Sequence, residues 1–112
     1  MDCIFCKLAS GEIPTEVVYE NNKVFAFKDM EPQAPIHYLF IPKKHYTSAN
    51  DLIDDASVVK DIYEAIAFVA KRDGFADKGY RVINNTGKDG GQTVEHLHFH
   101  VYAGREMLWP AG

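Results

Sequence analysis

The sequence lacks the features that would direct a chain to a membrane, a secretory pathway or nucleic acid. No apolar run approaches the roughly 20 residues needed to span a bilayer. The opening Met1-Asp2-Cys3-Ile4 shows neither the basic n-region nor the apolar h-region of a secretory signal. Lysines are scattered among acidic residues and the formal net charge is -4, so no basic surface is predicted. We expect a cytoplasmic protein that binds neither membranes nor nucleic acid.

The chain is also short, and it contains few cysteines. Its 112 residues, 46% of them hydrophobic, suffice for one hydrophobic core, so we expect a single domain over residues 1–112. The only two cysteines are Cys3 and Cys6. In a reducing compartment this spacing favours metal or redox chemistry over a structural disulfide.

The order of predicted elements indicates the fold class. Apolar periodicity and turn residues predict a short helix, a hairpin, a further strand, a long helix and two last strands. The predicted ranges are 4–10, 15–28 with its turn at Asn21-Asn22, 37–41, 54–72, 80–84 and about 95–103. Asp54 or Asp55 is expected to serve the first turn of the long helix electrostatically. This order predicts an α+β fold with a mainly antiparallel five-stranded sheet.

Three alternating histidines form the most informative segment. If residues 95–103 form a strand, His96, His98 and His100 share one face, while Leu97 and its apolar neighbours face the core. Three clustered imidazoles without partners are costly to bury, so a purely structural role is disfavoured. They are either three metal ligands or a catalytic group in which one histidine attacks phosphorus.

The residues before the histidines favour phosphate chemistry. Residues 85–93 include Gly87, Gly90 and Gly91, and glycines let backbone N–H groups approach an anion closely. Gln92 and Thr93 add side-chain hydrogen-bond donors. Asn85 and Gln92 have an alternative interpretation, since either side chain can simply close a turn.

The pattern of these residues resembles the histidine triad (HIT) family, and within it the Hint branch of nucleoside phosphoramidases. Residues 96–102 follow the family pattern of alternating histidine and apolar residues, and only the last position, Tyr102, is less apolar than the pattern. Further matches extend along the chain: Cys3-Ile4-Phe5, Asp29, Pro32-Gln33-Ala34-Pro35-x-His37, Ile41-Pro42-Lys43-Lys44-His45, Asp89-Gly90-Gly91-Gln92 and Trp109-Pro110. The resemblance implies a nucleotidyl hydrolase of HIT-like fold.

The resemblance also implies catalytic roles. The middle histidine of the triad, His98, is the expected nucleophile, and its neutral imidazole attacks the α-phosphorus to give a nucleotidyl-histidine that water hydrolyses. His100 is expected to contact the phosphate oxygens, and His37 to support the triad from the neighbouring strand. Thr93 replaces a serine often found in the Hint branch and keeps the hydroxyl that helps the leaving group depart.

A nucleotide pocket is implied by the same comparison. Asp29 corresponds to the acidic residue that holds the ribose hydroxyls, and Asn85, Gly91 and Gln92 correspond to positions near the phosphate. The implied base pocket, for a purine, consists of six apolar residues, each of which can equally be ordinary core: Ile4, Phe5, Leu8, Ile13, Phe27 and Met30. No organic cofactor is expected.

Cys3 and Cys6 supply two of the four ligands of a tetrahedral zinc site. His45 and His96 are the expected partners, because a similar set occurs in the wider superfamily that includes galactose-1-phosphate uridylyltransferase. His96 would then brace the segment that carries His98. The alternatives are a redox pair, or two half-buried apolar cysteines with His45 in a surface loop.

The single tryptophan, Trp109, lies in an apolar tail and needs something to pack against. It can fold back on its own chain. In the Hint branch this tail reaches toward the partner's active site, so the resemblance implies a homodimer whose sheets join edge to edge. Rival functions are dinucleoside polyphosphate hydrolysis, a non-catalytic nucleotide-binding scaffold, and metal storage by the triad itself.

Overall fold

The computed structural model describes residues 2–112 and contains five strands and two α-helices. In chain order these are α1 (Ile4–Ala9), β1 (Val17–Glu20), β2 (Val24–Lys28), β3 (Ile36–Pro42), a 3-10 helix (Ala49–Leu52), α2 (Ser57–Arg72), β4 (Arg81–Asn84) and β5 (Phe99–Ala103). Within residues 2–112 no helix combines the length and apolar character that crossing a bilayer requires.

The strands form one antiparallel sheet in the order β1-β2-β3-β5-β4. β5 therefore lies between β3 and β4, although α2 and β4 intervene in sequence. The register places His37 opposite Tyr102 and Leu39 opposite His100. The predicted α+β fold, with its five-stranded antiparallel sheet, one long helix and a short N-terminal helix, is confirmed.

The two faces of the sheet bury different apolar sets, because side chains alternate along each strand. One face packs against α2, where Ile62 and Ile66 meet Phe40 and Val101. The opposite face carries a smaller cluster centred on Phe5 of α1. The smaller cluster leaves room on this second face for polar side chains, and the functional residues lie there.

The long helix begins later than the sequence predicts. Its first residue is Ser57, and Asp54 and Asp55 lie outside its first turn, so their expected role there is wrong. Asp55 instead accepts hydrogen bonds from the hydroxyls of Tyr46 and Ser57. The 3-10 helix Ala49–Leu52 precedes this segment.

Candidate active site and metal centre

The last strand, which contains the end of the histidine segment, begins later in the sequence than predicted. The expected strand from about residue 95 is wrong, because β5 begins at Phe99 and His96 and His98 precede it. Two hydrogen bonds hold this irregular segment: the Leu97 N–H donates to the Tyr46 carbonyl at 2.7 Å, and the Asn84 amide donates to the His98 carbonyl at 2.9 Å.

The alternation of faces nevertheless holds across the segment. Leu97 and Phe99 belong to the core beneath α2, whereas the rings of His98 and His100 lie 5.1 Å apart on the other side. His98 also meets the ring of Phe5 edge-on at 5.1 Å. The apolar residues thus anchor the segment while the imidazoles face the α1 side of the sheet.

His98 is held in one tautomer. His98 is only 3% exposed. Its Nδ1 lies 2.7 Å from the His96 carbonyl oxygen. Because a carbonyl only accepts, Nδ1 must carry the proton and Nε2 must carry the lone pair. Burial lowers the pKa of His98, which favours the neutral ring. A buried neutral imidazole with a free Nε2 can act as a nucleophile.

His37 and His100 form a second ordered pair. The backbone N–H of Gln33 donates to His37 Nδ1 at 3.1 Å, so the proton of the neutral His37 ring lies on Nε2. That nitrogen is 2.9 Å from His100 Nδ1, which must accept. The His100 proton is therefore on Nε2, and this ring presents an N–H donor.

Burial keeps this pair neutral. It lowers the pKa of His37, an effect that the Asp29 carboxylate opposes. Burial, with the neighbouring His98 and His37 rings, lowers the pKa of His100 to about 4. Asp29 follows the last residue of β2, and its Oδ2 lies 3.5 Å from His37 Nε2 while its Oδ1 accepts from the Glu31 N–H at 2.8 Å.

Four other donor atoms converge between α1 and the histidine segment. The donor atoms of Cys3, Cys6, His45 and His96 all lie within 4.8 Å of one another. His96 Nδ1 is 3.4 Å from Cys3 Sγ, 3.5 Å from Cys6 Sγ and 3.1 Å from His45 Nδ1. Tetrahedral zinc, at about 2.3 Å from sulfur and about 2.0 Å from nitrogen, separates its ligands by roughly 3.3–3.8 Å. The spacing and the donor types fit zinc.

The orientation of His96 supports the same fit. Its Nε2 lies 2.9 Å from the Pro42 carbonyl oxygen, so Nε2 carries the proton and the lone pair of Nδ1 faces the sulfur atoms. Metal-binding histidines commonly donate their second N–H to a carbonyl in this way. His45 lies in the loop between β3 and the 3-10 helix and is half-buried, with its ring perpendicular to that of His96 at 4.8 Å.

The glycine-rich loop is braced by its own side chains. Gln92 accepts from the Gly87 N–H at 3.0 Å and donates to the carbonyls of Thr47 and Val94. Asn85 donates to the Gly90 carbonyl at 2.7 Å. Both side chains therefore close turns, and their contribution to phosphate binding would come through the shape of the loop.

Close approach explains one glycine of this loop. A Cβ at Gly90 would lie 2.3 Å from the Thr86 carbonyl oxygen, so only glycine fits there. Gly91 has a positive φ of 79°, which also favours glycine. Thr93 follows the loop and is exposed, in the short stretch between the glycines and the histidine segment.

The apolar residues expected at the base pocket divide into two groups. Phe5 and Phe27 are buried and pack edge-to-face at 5.4 Å, and Leu8 and Ile13 are partly buried. Ile4 is largely exposed, and Met30 is 94% exposed. A closed apolar pocket that contains all six residues is therefore not formed, because Met30 lies in the loop after β2 without apolar neighbours to cover it.

The Trp109 ring packs against a cation of its own chain. Its residue is 82% exposed, and the Arg81 guanidinium lies 4.9 Å over the ring. Arg81 also donates to the Leu108 carbonyl at 3.1 Å. The indole is thus kept near β4 with most of its surface open to solvent.

Several residues that order this site act through backbone atoms, and sequence reasoning, which expected a backbone carbonyl to fix the tautomer of the nucleophile, did not identify these residues. The carbonyls of His96 and Pro42 and the N–H of Gln33 set the tautomers of His98, His96 and His37. Backbone groups are common to all residue types, so no sequence signal identifies them. Asn84 has a polar side chain at the end of a predicted strand, and that position could have marked it.

The sequence profile of the HIT domain matches residues 10–107. In sequence, the chain is 41% identical over 117 residues to the 14 kDa zinc-binding protein of Brassica juncea, covering 99% of this chain and 100% of that protein.

Solved structures give the same match in three dimensions. The HIT family hydrolase of Legionella pneumophila Philadelphia 1 is 45% identical with a TM-score of 0.96, over 99% of this chain and 100% of that one. A histidine triad protein from Clostridium difficile is 52% identical with a TM-score of 0.94, covering 96% and 95% of the two chains. The histidine triad nucleotide-binding protein of Candida albicans is 33% identical with a TM-score of 0.83, covering 99% and 85%.

Proposed function

The chain belongs to the HIT domain family, and from this premise we propose that it hydrolyses nucleoside 5'-phosphoramidates through a covalent intermediate on His98. The observation that carries the proposal is the buried His98 ring, whose Nδ1–H is held by the His96 carbonyl at 2.7 Å and whose Nε2 lone pair is free. The likeness to the Legionella hydrolase and to the Candida nucleotide-binding protein supports a hydrolase that acts on nucleotides.

The first chemical step forms a P–N bond between His98 Nε2 and the α-phosphorus. The P–N bond to the amine breaks, and the leaving nitrogen takes up a proton, for which the exposed Thr93 hydroxyl is an available donor. His98 then carries a positive charge, which the hydrogen bond to the His96 carbonyl stabilises. The N–H at His100 Nε2 donates to a phosphate oxygen and stabilises the charge of the transition state.

The second step regenerates the enzyme. Water attacks the phosphorus, the bond to His98 Nε2 breaks and the nucleoside monophosphate leaves, while one proton of the water restores the Thr93 hydroxyl. The ring returns to the neutral tautomer that the His96 carbonyl selects. Splitting one displacement into two through a covalent intermediate lowers the barrier of each step.

The nucleotide is proposed to lie along the α1 side of the sheet. Phe5 contacts His98 and packs on Phe27, which makes these two rings the part of the proposed purine pocket that adjoins the nucleophile. Asp29, whose carboxylate lies at the end of β2 beside His37, is proposed to hold the ribose hydroxyls. Gly91 and its braced loop are proposed to enclose the phosphate.

Cys3, Cys6, His45 and His96 are proposed to hold zinc, in line with the Brassica zinc-binding relative. When bound there, zinc supplies structural bracing by joining α1 to the histidine segment. The same His96 that offers Nδ1 to the metal offers its backbone carbonyl to His98. The proposed zinc ligand His96 therefore also holds the tautomer of the proposed nucleophile, His98, two residues later in the chain.

We also propose a cytoplasmic homodimer. The exposed Leu108 and Trp109 side chains and the open edge of β4 support it, since an unpaired edge strand and an exposed indole are both commonly covered by a partner. Light scattering coupled to size-exclusion chromatography should give twice the chain mass. A chain-mass peak at micromolar concentration would contradict the dimer.

The decisive experiment is steady-state hydrolysis of a fluorogenic adenosine 5'-phosphoramidate. We expect wild-type turnover, and a loss of at least about 10⁴-fold in His98→Ala, with one zinc per chain in both proteins. Lys71→Ala is the matched control, because Lys71 is exposed on α2, across the sheet from the site. Undiminished turnover in His98→Ala would refute the mechanism.

The same assay tests the choice of substrate. Diadenosine polyphosphates should be hydrolysed much more slowly than the phosphoramidate. The reverse order would assign the site to polyphosphate hydrolysis with the same nucleophile. Binding of adenosine monophosphate by a wild-type protein that hydrolyses neither substrate would leave a non-catalytic nucleotide-binding role.

A further inference from the structure

The loop that sets the His37 tautomer is itself held from the other end of the chain. Gln33 lies between β2 and β3, in an irregular segment flanked by Pro32 and Pro35. Its backbone N–H donates to His37 Nδ1 at 3.1 Å. Its carbonyl accepts two hydrogen bonds from the Arg105 guanidinium, from Nε at 3.3 Å and from Nη2 at 3.1 Å.

The backbone next to Arg105 is shaped for this contact. Gly104 has a positive φ of 91°, and a Cβ there would lie 2.8 Å from Pro35 Cβ. Glycine thus lets the end of β5 approach the proline loop, so that the next residue reaches Gln33. The third Arg105 contact, from Nη1 to the Glu106 carbonyl at 3.1 Å, fixes the guanidinium plane.

Contacts to the His37 ring divide into those that place it and those that set its proton. Tyr102 packs against the ring at 4.2 Å and orients its plane. Within residues 2–112, the hydrogen bond to Nδ1 comes from the Gln33 N–H. If that donor moves away, Nδ1 is free to take the proton, and His37 Nε2 then no longer donates to His100 Nδ1.

We propose that Arg105 is a positioning residue for the hydrolysis: by clamping Gln33, it keeps the proton of His37 on Nε2 and hence the proton of His100 on Nε2, where the phosphate is bound. The chain of contacts runs from Arg105 to Gln33, to His37 and to His100. Arg105 itself hydrogen-bonds to neither histidine. This inference rests on the proposed function for its catalytic consequence, whereas the arrangement of protons is independent of that function.

The direct test is two-dimensional ¹H–¹⁵N correlation of the histidine rings in the zinc-loaded protein at neutral pH. In the wild type, His37 and His100 should each show a protonated Nε2 and an unprotonated Nδ1. In Arg105→Ala, the ¹⁵N shifts of both rings should move toward a mixture of the two tautomers. Arg105→Lys, which keeps one donor for the Gln33 carbonyl, should give intermediate shifts.

Arg81→Ala is the matched control. Arg81 also holds the carboxyl-terminal segment, through the Leu108 carbonyl and the Trp109 ring, but it makes no hydrogen bond to Gln33 among the described residues. It should leave the ring shifts of His37 and His100 at their wild-type values. Equal changes in the two alanine variants would overturn the proposal, because loosening of the tail would then explain them.

Kinetics provide the second readout. Arg105→Ala should lower kcat for the phosphoramidate by about 10-fold with little change in KM, since small misplacements of catalytic groups cost 10-fold to 100-fold. Unchanged ring shifts in both Arg105 variants would overturn the inference whatever the activity. A wild type that shows the expected tautomers yet hydrolyses no phosphoramidate would refute only the proposed function.

Discussion

Two clusters of potential metal ligands lie on the same side of the sheet, and they differ in which histidine ring nitrogens carry a proton. One, the cysteine cluster, consists of Cys3, Cys6, His45 and His96; the other, the aspartate cluster, consists of Asp29, His37 and His100. In both, the donor atoms lie within 4.8 Å of one another. In the cysteine cluster, the Pro42 carbonyl accepts the hydrogen bond from His96 Nε2–H. His96 Nδ1, which faces the other donor atoms, therefore carries a lone pair and no proton.

In the aspartate cluster, a proton lies on the ring nitrogen that faces the other donor atoms. The Gln33 N–H points at His37 Nδ1, so the inner nitrogen Nε2 carries a hydrogen that His100 accepts. A metal at this position would have to displace that hydrogen. Ligand type and proximity therefore do not define a metal site, because a single backbone donor or acceptor behind each ring decides whether a lone pair faces the other donor atoms.

The largest expected effect is the removal of one ligand from the cysteine cluster. Cys6→Ala should lose the bound zinc and lower the Tm by more than about 10 °C, since structural zinc contributes several kcal/mol or more and each kcal/mol shifts the Tm of a small domain by about 4 °C. Zinc analysis and thermal unfolding would measure this. Lys7→Ala is the control, because Lys7 is partly buried on the same helix and its ammonium group pairs with the exposed Asp2. Full zinc content in Cys6→Ala would remove the distinction between the clusters.

A substitution in the aspartate cluster should show the opposite pattern. His100→Ala removes the proposed donor to the phosphate and should lower kcat by about 10²- to 10³-fold while one zinc per chain is retained. It also leaves the buried His37 N–H without its closest acceptor, at a cost of about 1–3 kcal/mol in the free energy of unfolding. Zinc loss in this variant would show that the two clusters are one metal-binding unit.

The pH dependence of stability should distinguish the clusters more subtly. The folded-state pKa of His100 is lowered to about 4, whereas an unfolded histidine titrates near about 6.5. Between these values the unfolded state binds more protons, so stability falls as the pH falls through this window. Denaturant unfolding of the zinc-loaded protein from pH 8 to pH 4 should show this slope, by at most about 1.4 kcal/mol per pH unit for one proton.

His100→Ala provides the comparison for that slope. The proposed zinc ligands and the buried His37 and His98, whose pKa values are also lowered, are present in both proteins, so the difference between the two curves reports the loss of the His100 ring. The variant's curve should be shallower between about pH 6.5 and pH 4. Parallel curves over the whole range would mean that burial does not lower the pKa of His100 as described.

The smallest expected effect is the response of the aspartate cluster to added metal. Titration of the metal-free protein with Co²⁺ should stop at one ion per chain, with the absorption of tetrahedral cobalt bound by two sulfur and two nitrogen atoms. Asp29→Asn should leave this stoichiometry unchanged. A second ion that disappears in Asp29→Asn would show that the aspartate cluster also binds metal.

The sequence predicted the residues of both clusters but not the difference between them. Alternation along the histidine segment correctly placed His98 and His100 on one face and Leu97 and Phe99 in the core. It placed the start of the last strand four residues too early, because the contacts from Tyr46 and Asn84 that hold the preceding segment are distant in sequence. Local pattern carries no information about such partners.

The base pocket shows the same limit. Phe5 and Met30 are both apolar and both match the family pattern, yet Phe5 is buried against His98 and Met30 is 94% exposed. Hydrophobicity predicts that a residue tends to be buried, whereas the packing of α1 on the sheet decides which one is. The pairing of β3 with β5, across the whole of α2, was likewise outside the reach of periodicity.

By itself the sequence determined the chemical groups available to this protein and the face of the sheet on which they lie, because alternation and residue type are local properties. It determined the α+β class for the same reason. Only the tertiary structure decided which nitrogen of each imidazole carries the proton. That choice depends on the Pro42 carbonyl, which lies 54 positions from His96 in sequence. It depends also on the folded backbone that aims the Gln33 N–H at His37 and the His96 carbonyl at His98, although these groups are near the rings in sequence.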